Sequence, residues 1–282
     1  MIKLIDLVKE VVFKESRFDT LQIKDLLNRL STYSGKTFIW LDTETTGLQF
    51  TRPLQITQIA AIATDSEGNK KGEFNEKAKL EPAIAKSAED PESSVSKILK
   101  YTHYASGKQA ERDQQPILKD FAEWISTFPD PLLVAYNAPF DLEIFNVLTK
   151  DKKLKSTTLD VMKMAQYLWI PLHQQLAKEG DPRSIEILNT LGTSASGRLV
   201  GSTLGKIANS FGIDSSGAHD ALEDVTMTSK VYREMVKDFE KYQDLDIAND
   251  TRRDRVAANA KFRRKDKEAR KKLKKTGGYI PK

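Results

Sequence analysis

Residues 37–48 read Thr37-Phe38-Ile39-Trp40-Leu41-Asp42-Thr43-Glu44-Thr45-Thr46-Gly47-Leu48. The run through Leu41 is continuously apolar in character, which predicts a strand covered on both faces, because a strand with one face in water alternates. Two acids follow at once. Alternate strand residues point the same way, so Asp42 and Glu44 project together from the strand's end. Two carboxylates at the mouth of a buried strand are costly unless something neutralises them, and a divalent cation does so with the oxygen ligands it prefers. An acidic turn at a strand end is the plainer alternative. The glycine-containing turn at Thr45-Thr46-Gly47-Leu48 favours chemistry, since it lets backbone approach a substrate closely.

Working outward, Ser34-Gly35 separates this strand from a helical preface, residues 1–35. There Ile2, Ile5, Val8 and Val12 recur at helical spacing, as do Ile23, Leu26, Leu27 and Leu30 after a candidate cap at Asp19. On the other side, residues 54–64 and about 70–80 predict two more strands, joined by a turn at Ser66-Glu67-Gly68-Asn69. Residues 81–130 read as helical, with one helix opened by Pro91 and Glu92 and ending near Tyr104, and another over 116–127 with Pro116 at its first position. A short strand at 131–136 turns at Asn137-Ala138-Pro139 into a helix carrying Leu142, Phe145 and Leu148. A strand near 156–160 and a helix through 168 follow. Residues 170–202 contain Gly, Pro and Ser without a clean period and read as an irregular insertion; helices at 203–211 and about 220–240 close the body. Strands first, then alternation with helices, predict an α/β or α+β sheet with helices on both faces.

Two further segments repeat the motif of an acid beside a turn. Asp141 lies in the first helical turn after Asn137-Ala138-Pro139-Phe140. Ordinary first-turn chemistry also explains an acid there. Glu143, two residues further round the helix, points elsewhere. His219-Asp220-Ala221-Leu222-Glu223-Asp224 opens the last helix, and Asp224 shares an inward face with Ala221, Val225 and Thr228. The other two histidines, His103 and His173, sit amid apolar or aromatic neighbours without acid partners and read as structural or surface residues.

Composition narrows the class. The 282 residues are 39% hydrophobic and 30% charged, which fits one large domain with appendages or two domains. The absence of cysteine excludes thiolate zinc, iron–sulfur clusters, thiol catalysis and disulfides. No apolar run is long enough to span a membrane, and the opening segment carries acids, so neither a membrane anchor nor a secretory signal is expected and the cytoplasm is the default compartment. The net charge of +5 hides an asymmetry: residues 251–282 hold 14 Lys and Arg against 3 Asp and Glu, while the rest holds 31 against 37.

Taken together, the segments FIWLDTETTGL, VAYNAPFDLEIF and AHDALEDV resemble the three motifs of the DnaQ-like, DEDDh class of 3′→5′ exonucleases in the RNase H-like superfamily. The resemblance covers about residues 36–240, with TLDVMKMAQYL and STLGKIANSFGI also in their expected places, and its general pattern is nearest to the exonuclease I-like and phage exodeoxyribonuclease A-like branches. The sister class places tyrosine four residues before the last Asp; here Asp220 stands there and His219 one earlier, which selects the histidine class. Tyr136 precedes Asn137 where family members often have histidine, a departure that touches neither a ligand nor the base. The resemblance implies a five-stranded mixed β-sheet flanked by helices, here with a helical N-terminal preface (1–35), an exonuclease domain (36–240) and a basic tail (241–282). It implies Asp42, Glu44, Asp141 and Asp224 as ligands of two Mg²⁺ ions, with Mn²⁺ able to substitute, and His219 as general base. By position, Thr45 and Asn137 would hold the terminal sugar or backbone, and Leu48 and Phe140 would stack on terminal bases, with core packing the alternative for Leu48 and Phe140.

The expected substrate is single-stranded nucleic acid, DNA in preference to RNA. An exoribonuclease, a proofreading subunit docked to a polymerase or replication partner through its N-terminal helices, and an inactive nucleic-acid-binding adaptor are the alternatives. The basic tail is expected to hold the strand, against the alternative of a merely solvated extension. Each phosphate neutralised on a single strand contributes about −0.7 to the slope of log K against log salt. If about five of the tail's 14 basic residues engage, cutting after Asp250 makes that slope shallower by about three units on long strands and leaves turnover on a substrate of a few nucleotides unchanged. Equal slopes for the two proteins would reduce the tail to a solvated appendage.

Overall fold

The apolar run becomes the central strand of a five-stranded sheet. In the computed structural model, which describes residues 22–47, 54–102, 104, 110–149, 157–192 and 202–247, the strands are β1 (Phe38–Thr45), β2 (Ile56–Thr64), β3 (Lys70–Lys77), β4 (Leu132–Ala135) and β5 (Thr157–Asp160). Their order is β3-β2-β1-β4-β5. The β1–β2 and β2–β3 pairs are antiparallel and the β1–β4 and β4–β5 pairs parallel. This is the mixed sheet expected of an RNase H-like fold. Edge strand β3 carries exposed Lys70 and Lys71, charges that discourage further pairing.

Around the sheet run α1 (Ile23–Ser31), α2 (Pro82–Ala88), α3 (Ser94–Tyr101), α4 (Gln114–Ser126), α5 (Ala138–Thr149), α6 (Val161–Met164), α7 (Ile170–Lys178), α8 (Pro182–Leu191), α9 (Leu204–Ser210) and α10 (Ala221–Lys241). The alternation of β1 divides the interior. Phe38 and Trp40 enter a core with α1, α6 to α9 and α10, whereas Ile39 and Leu41 enter one built with Ile117, Leu118 and Phe121 of α4 and Ile144 and Phe145 of α5. Trp40 packs edge-on against Tyr232 of α10 at 5.2 Å, and its indole N–H donates to Thr64 Oγ1 at 3.0 Å. Helices therefore cover both faces, as the unbroken apolar run requires. A third, small core of Ile84, Val95 and Leu99 joins α2 to α3.

Pairing lengths decide where the site lies. β1 pairs with β2 from Phe38 to Thr45, but with β4 only from Phe38 to Trp40. Beyond Trp40, the β4-side edge of β1 is left open to side chains, at the carboxyl ends of two parallel strands where α/β sheets commonly bind ligands.

The irregular insertion expected over 170–202 is replaced by two helices, α7 and α8, across its described part. Pro171 has no amide hydrogen, and the helix widens into a π turn, Ala165–Trp169, just before it instead of ending. Gly180 (φ 89°) then breaks the chain, and Asp181 caps α8 by accepting from the Ser184 N–H with Pro182 in the first turn. The glycine and prolines that blurred the period are punctuation between helices. Smaller differences are similar in kind. α3 starts later than Pro91, at the Ser93 cap, and α4 starts two residues before Pro116, which remains in the first turn where no amide is needed. α1 is capped by Gln22 and Asp25. Asp19, the helix expected at 2–12, residues 193–201, His103 and the basic tail from 251 lie outside the described residues.

His173 is indeed structural, but it has the acid partner that its sequence neighbours did not suggest. It is fully buried, with Nδ1 2.8 Å from Ser184 Oγ and Nε2 3.1 Å from Asp238. Asp238 lies 65 residues away on α10 and accepts also from Trp169 at 2.8 Å and Arg183 at 2.6 Å. Burial pushes the Asp238 carboxyl up, but bonds from His173, Arg183 and Trp169 outweigh it and hold it at about 2. Asp238→Ala strands these donors and should cost about 3 kcal/mol in urea unfolding, with activity per folded molecule unchanged.

Candidate active site

β1 ends in Asp42 and Glu44, whose cross-strand partners on β2 are Ala60 and Gln58. The small Ala60 and the polar Gln58 leave room and hydrogen-bonding capacity beside the two acids. Asp141 arrives from the α5 side. The chain leaves β4 through Asn137 in the left-handed region (φ 74°), and α5 begins at once. That turn sends Asp141, 2% exposed, to the open edge of β1, where it accepts from the Thr43 N–H at 3.0 Å and the Thr43 hydroxyl at 2.7 Å. Asp160 ends β5 near this turn, and the Asn137 backbone opposes the upward push of burial on its carboxyl.

The third arm is the start of α10. His219 also has left-handed backbone (φ 76°), and its N–H donates to Asp224 at 3.3 Å. Left-handed φ is costly for a residue with a Cβ, and such strain clusters at functional sites. Ligand atoms of Glu44, His219 and Asp224 lie within 4.8 Å of one another. Asp224 Oδ1 is buried without a hydrogen-bond partner.

Electrostatics ties Asp42 and Asp141 to this cluster. Burial, then the charges of Asp141, Asp224 and Glu44, push the Asp42 carboxyl far above the usual range. Glu44 is raised to about 8 by burial and the charges of Asp224 and Asp141. Asp141 is raised to about 7 by burial against the pull of its Thr43 bonds, and Asp224 to about 6, again mainly by burial. Four carboxyls that resist ionisation, with a buried oxygen left unbonded and an imidazole alongside, make a donor set suited to hard divalent cations. Asp42, Glu44, Asp141 and Asp224 are the residues that would hold them.

Two residues beside the cluster escaped the sequence reading. Gln58 donates to Asp220 at 3.2 Å and accepts from the Ala221 N–H at 3.3 Å; Lys77 pairs with Asp220 at 3.3 Å. Although burial opposes it, these bonds keep Asp220 below the usual range. They also moor the start of α10 to β2 and β3. The hint of this in the sequence was a glutamine in the middle of a mostly apolar strand. Of the remaining candidates, buried Thr45 donates its hydroxyl to the Gly47 carbonyl at 2.6 Å and shapes the turn. Phe140 is half-buried against the α4–α5 core, and Asn137 is half-buried at the turn. Leu48 lies outside the described residues. Tyr136 donates to the Ser202 carbonyl at 2.6 Å.

Each raised carboxyl binds its proton more tightly in the folded chain than in the unfolded one. Its stabilising contribution is complete below the unfolded value, near 4, and is lost as pH rises through about 6, 7 and 8. With chelator present, the melting temperature should therefore fall between about pH 5 and pH 8 by several degrees. Asp42→Asn should flatten that fall, and saturating Mg²⁺ or Mn²⁺ should cancel it. A flat profile in chelator would contradict the buried, unneutralised cluster.

No curated protein sequence matches this chain. Among solved structures, E. coli exonuclease I in complex with a dA16 oligonucleotide is 20% identical, with the match covering 73% of this chain and 42% of that one at a TM-score of 0.45. Cell-death related nuclease 4 is 17% identical, covering 72% of this chain and 64% of that one at a TM-score of 0.36. The chain spans less than half the length of the exonuclease I structure. The family model described as Exonuclease (RNase_T) matches residues 39–232, which takes in all three acidic arms of the site. This chain belongs to that exonuclease family, DnaQ-like nucleases of the RNase H-like superfamily.

Proposed function

We propose that this nuclease removes nucleotides from the 3′ end of single-stranded DNA, with Mg²⁺ as its metal and His219 as general base. The observation that carries the reading is the convergence of Glu44, His219 and Asp224 within 4.8 Å, beside Asp42, whose carboxyl is pushed up by burial and by the charges of Asp141, Asp224 and Glu44. Two Mg²⁺ ions held by the four carboxylates would supply the positive charge that makes the phosphodiester electrophilic and stabilises its in-line displacement. The residues supply the rest. The His219 imidazole, half-buried and flanked by acids, takes the proton of the attacking water. Asp224 holds the His219 backbone through its 3.3 Å bond, which sets where the imidazole stands. Thr43 holds Asp141 by two bonds, so its remaining oxygen has a defined direction. Asn137 and Phe140, at the start of α5, contact the terminal nucleotide in this reading. Thr45 is assigned the shape of the turn, because its hydroxyl is already engaged with Gly47.

The direct test is digestion of single-stranded DNA and RNA oligomers labelled at either end, in Mg²⁺ and in chelator. A 5′-labelled DNA strand should give a descending ladder only with metal. Faster loss of RNA would make the chain an exoribonuclease, and release of the 5′ nucleotide first would overturn the direction. Asp42→Ala or Asp224→Ala should lower turnover roughly a thousandfold or more while leaving the fold intact. Retention of more than a tenth of wild-type turnover would refute the ligand assignment. His219→Ala should cost about 10²–10⁴-fold, with binding largely kept.

A further inference from the structure

Tyr101 is the last residue of α3, and it stands apart from the apolar stripe that holds that helix. Val95 and Leu99 face Ile84 of α2 in the small third core. Tyr101, two residues beyond Leu99, lies on the other side of the helix and is 62% exposed. Burial therefore does not explain it. Its ring instead lies 3.9 Å, centroid to centroid, from the His219 imidazole, at 35° between planes. The carboxylates of Glu44 and Asp224 also lie beside that imidazole, within 4.8 Å.

We propose that Tyr101 is a positioning residue for His219, its ring steadying the imidazole beside Glu44 and Asp224. The proposal rests on the reading of His219 as general base. The platform that carries Tyr101 is firmly tied down. Tyr104 donates to the Ala78 carbonyl at 2.8 Å, and the Glu81 N–H donates to Gln55 Oε1 at 3.0 Å. Gln55 is fully buried and in turn donates to the Lys79 carbonyl at 2.6 Å. The α2–α3 pair is thus anchored to the residues that follow β3 and precede β2, and the tyrosine is presented at a fixed height over the site. The left-handed backbone of His219 aims its half-buried ring toward the acids, and the tyrosine ring lies against one side of it. A general base displaced by about an ångström loses one to two orders of magnitude in rate. A flat aromatic ring lying tilted against the imidazole limits that displacement without taking a proton itself.

The test separates positioning from strand binding and from the base assignment. Turnover is measured on a thymidine 5′-phosphodiester bearing a p-nitrophenyl leaving group, and the histidine ring protons are followed by NMR in metal-free protein. Only three histidines are present, and His219→Ala identifies the resonance. Tyr101→Ala should lower kcat about tenfold with KM changed less than about twofold, and Tyr101→Phe should restore it, since the ring contact needs no hydroxyl. In wild type and Tyr101→Phe the His219 ring protons should be displaced by the neighbouring ring current; in Tyr101→Ala they should relax. In a His219→Ala background, removing Tyr101 should cost nothing further. An unmoved resonance in Tyr101→Ala, an equal loss in the His219→Ala background, or a rise in KM with kcat unchanged would each overturn the positioning role. If His219→Ala itself keeps the wild-type rate, the base assignment fails; if it is impaired while Tyr101→Ala is not, only the positioning role fails.

Discussion

Everything at this site depends on holding four like charges where water cannot fully reach them. Asp42, Glu44, Asp141 and Asp224 all titrate above the carboxylate range, and burial is the first cause in each case. Left to itself such a cluster would push its carriers apart or stay protonated. The fold resists by spreading the acids over three elements, each anchored by apolar packing away from the acids. β1 is locked between two cores, α5 is packed through Ile144 and Phe145, and α10 is packed through Val225, Val231, Met235 and Phe239.

The surrounding polar groups divide the labour. Thr43 directs Asp141, while Lys77 and Gln58 hold Asp220, the adjacent acid at the α10 cap, in its charged form. Both turns that deliver acids, at Asn137 and His219, use left-handed backbone on residues with a side chain. At His219 the Asp224 carboxyl accepts the turn's own N–H, which helps to hold the strained backbone there. Asp160 Oδ2 remains without a hydrogen-bond partner, although the Lys163 ammonium lies at 3.7 Å.

A second polar centre, around Asp238, does the opposite. There one carboxylate gathers His173, Trp169 and Arg183 and is stabilised as an anion in the interior between α7, α8 and α10. The contrast explains why the same residue types can be structural in one place and chemical in another. The Asp238 carboxylate has its donors supplied by the protein, whereas the cluster at β1 is short of positive charge and invites it from outside.

Much of this was legible in the chain. The apolar run before Asp42, the turn before Asp141 and the inward face shared by Asp224, Ala221 and Val225 are local patterns, and local patterns report periodicity, burial and turns directly. They sufficed for a sheet with helices on both faces and for acids placed beside turns, while the five-stranded mixed topology came from the resemblance of the motifs to the nuclease family. Helices α7 and α8 were not legible, because Pro171 and Gly180 act as stops in sequence while the π turn and the Asp181 cap absorb them in three dimensions. Nor were the contacts that tune the site. Thr43 and Asp141 are 98 residues apart, Gln58 and Ala221 163, and the ring of Tyr101 meets that of His219 from a different helix. Sequence determined which side chains carry charge and which face of their element they occupy. Only the tertiary structure decided which of them meet, because that depends on where β4 stops pairing with β1 and on where α3 and α10 come to rest.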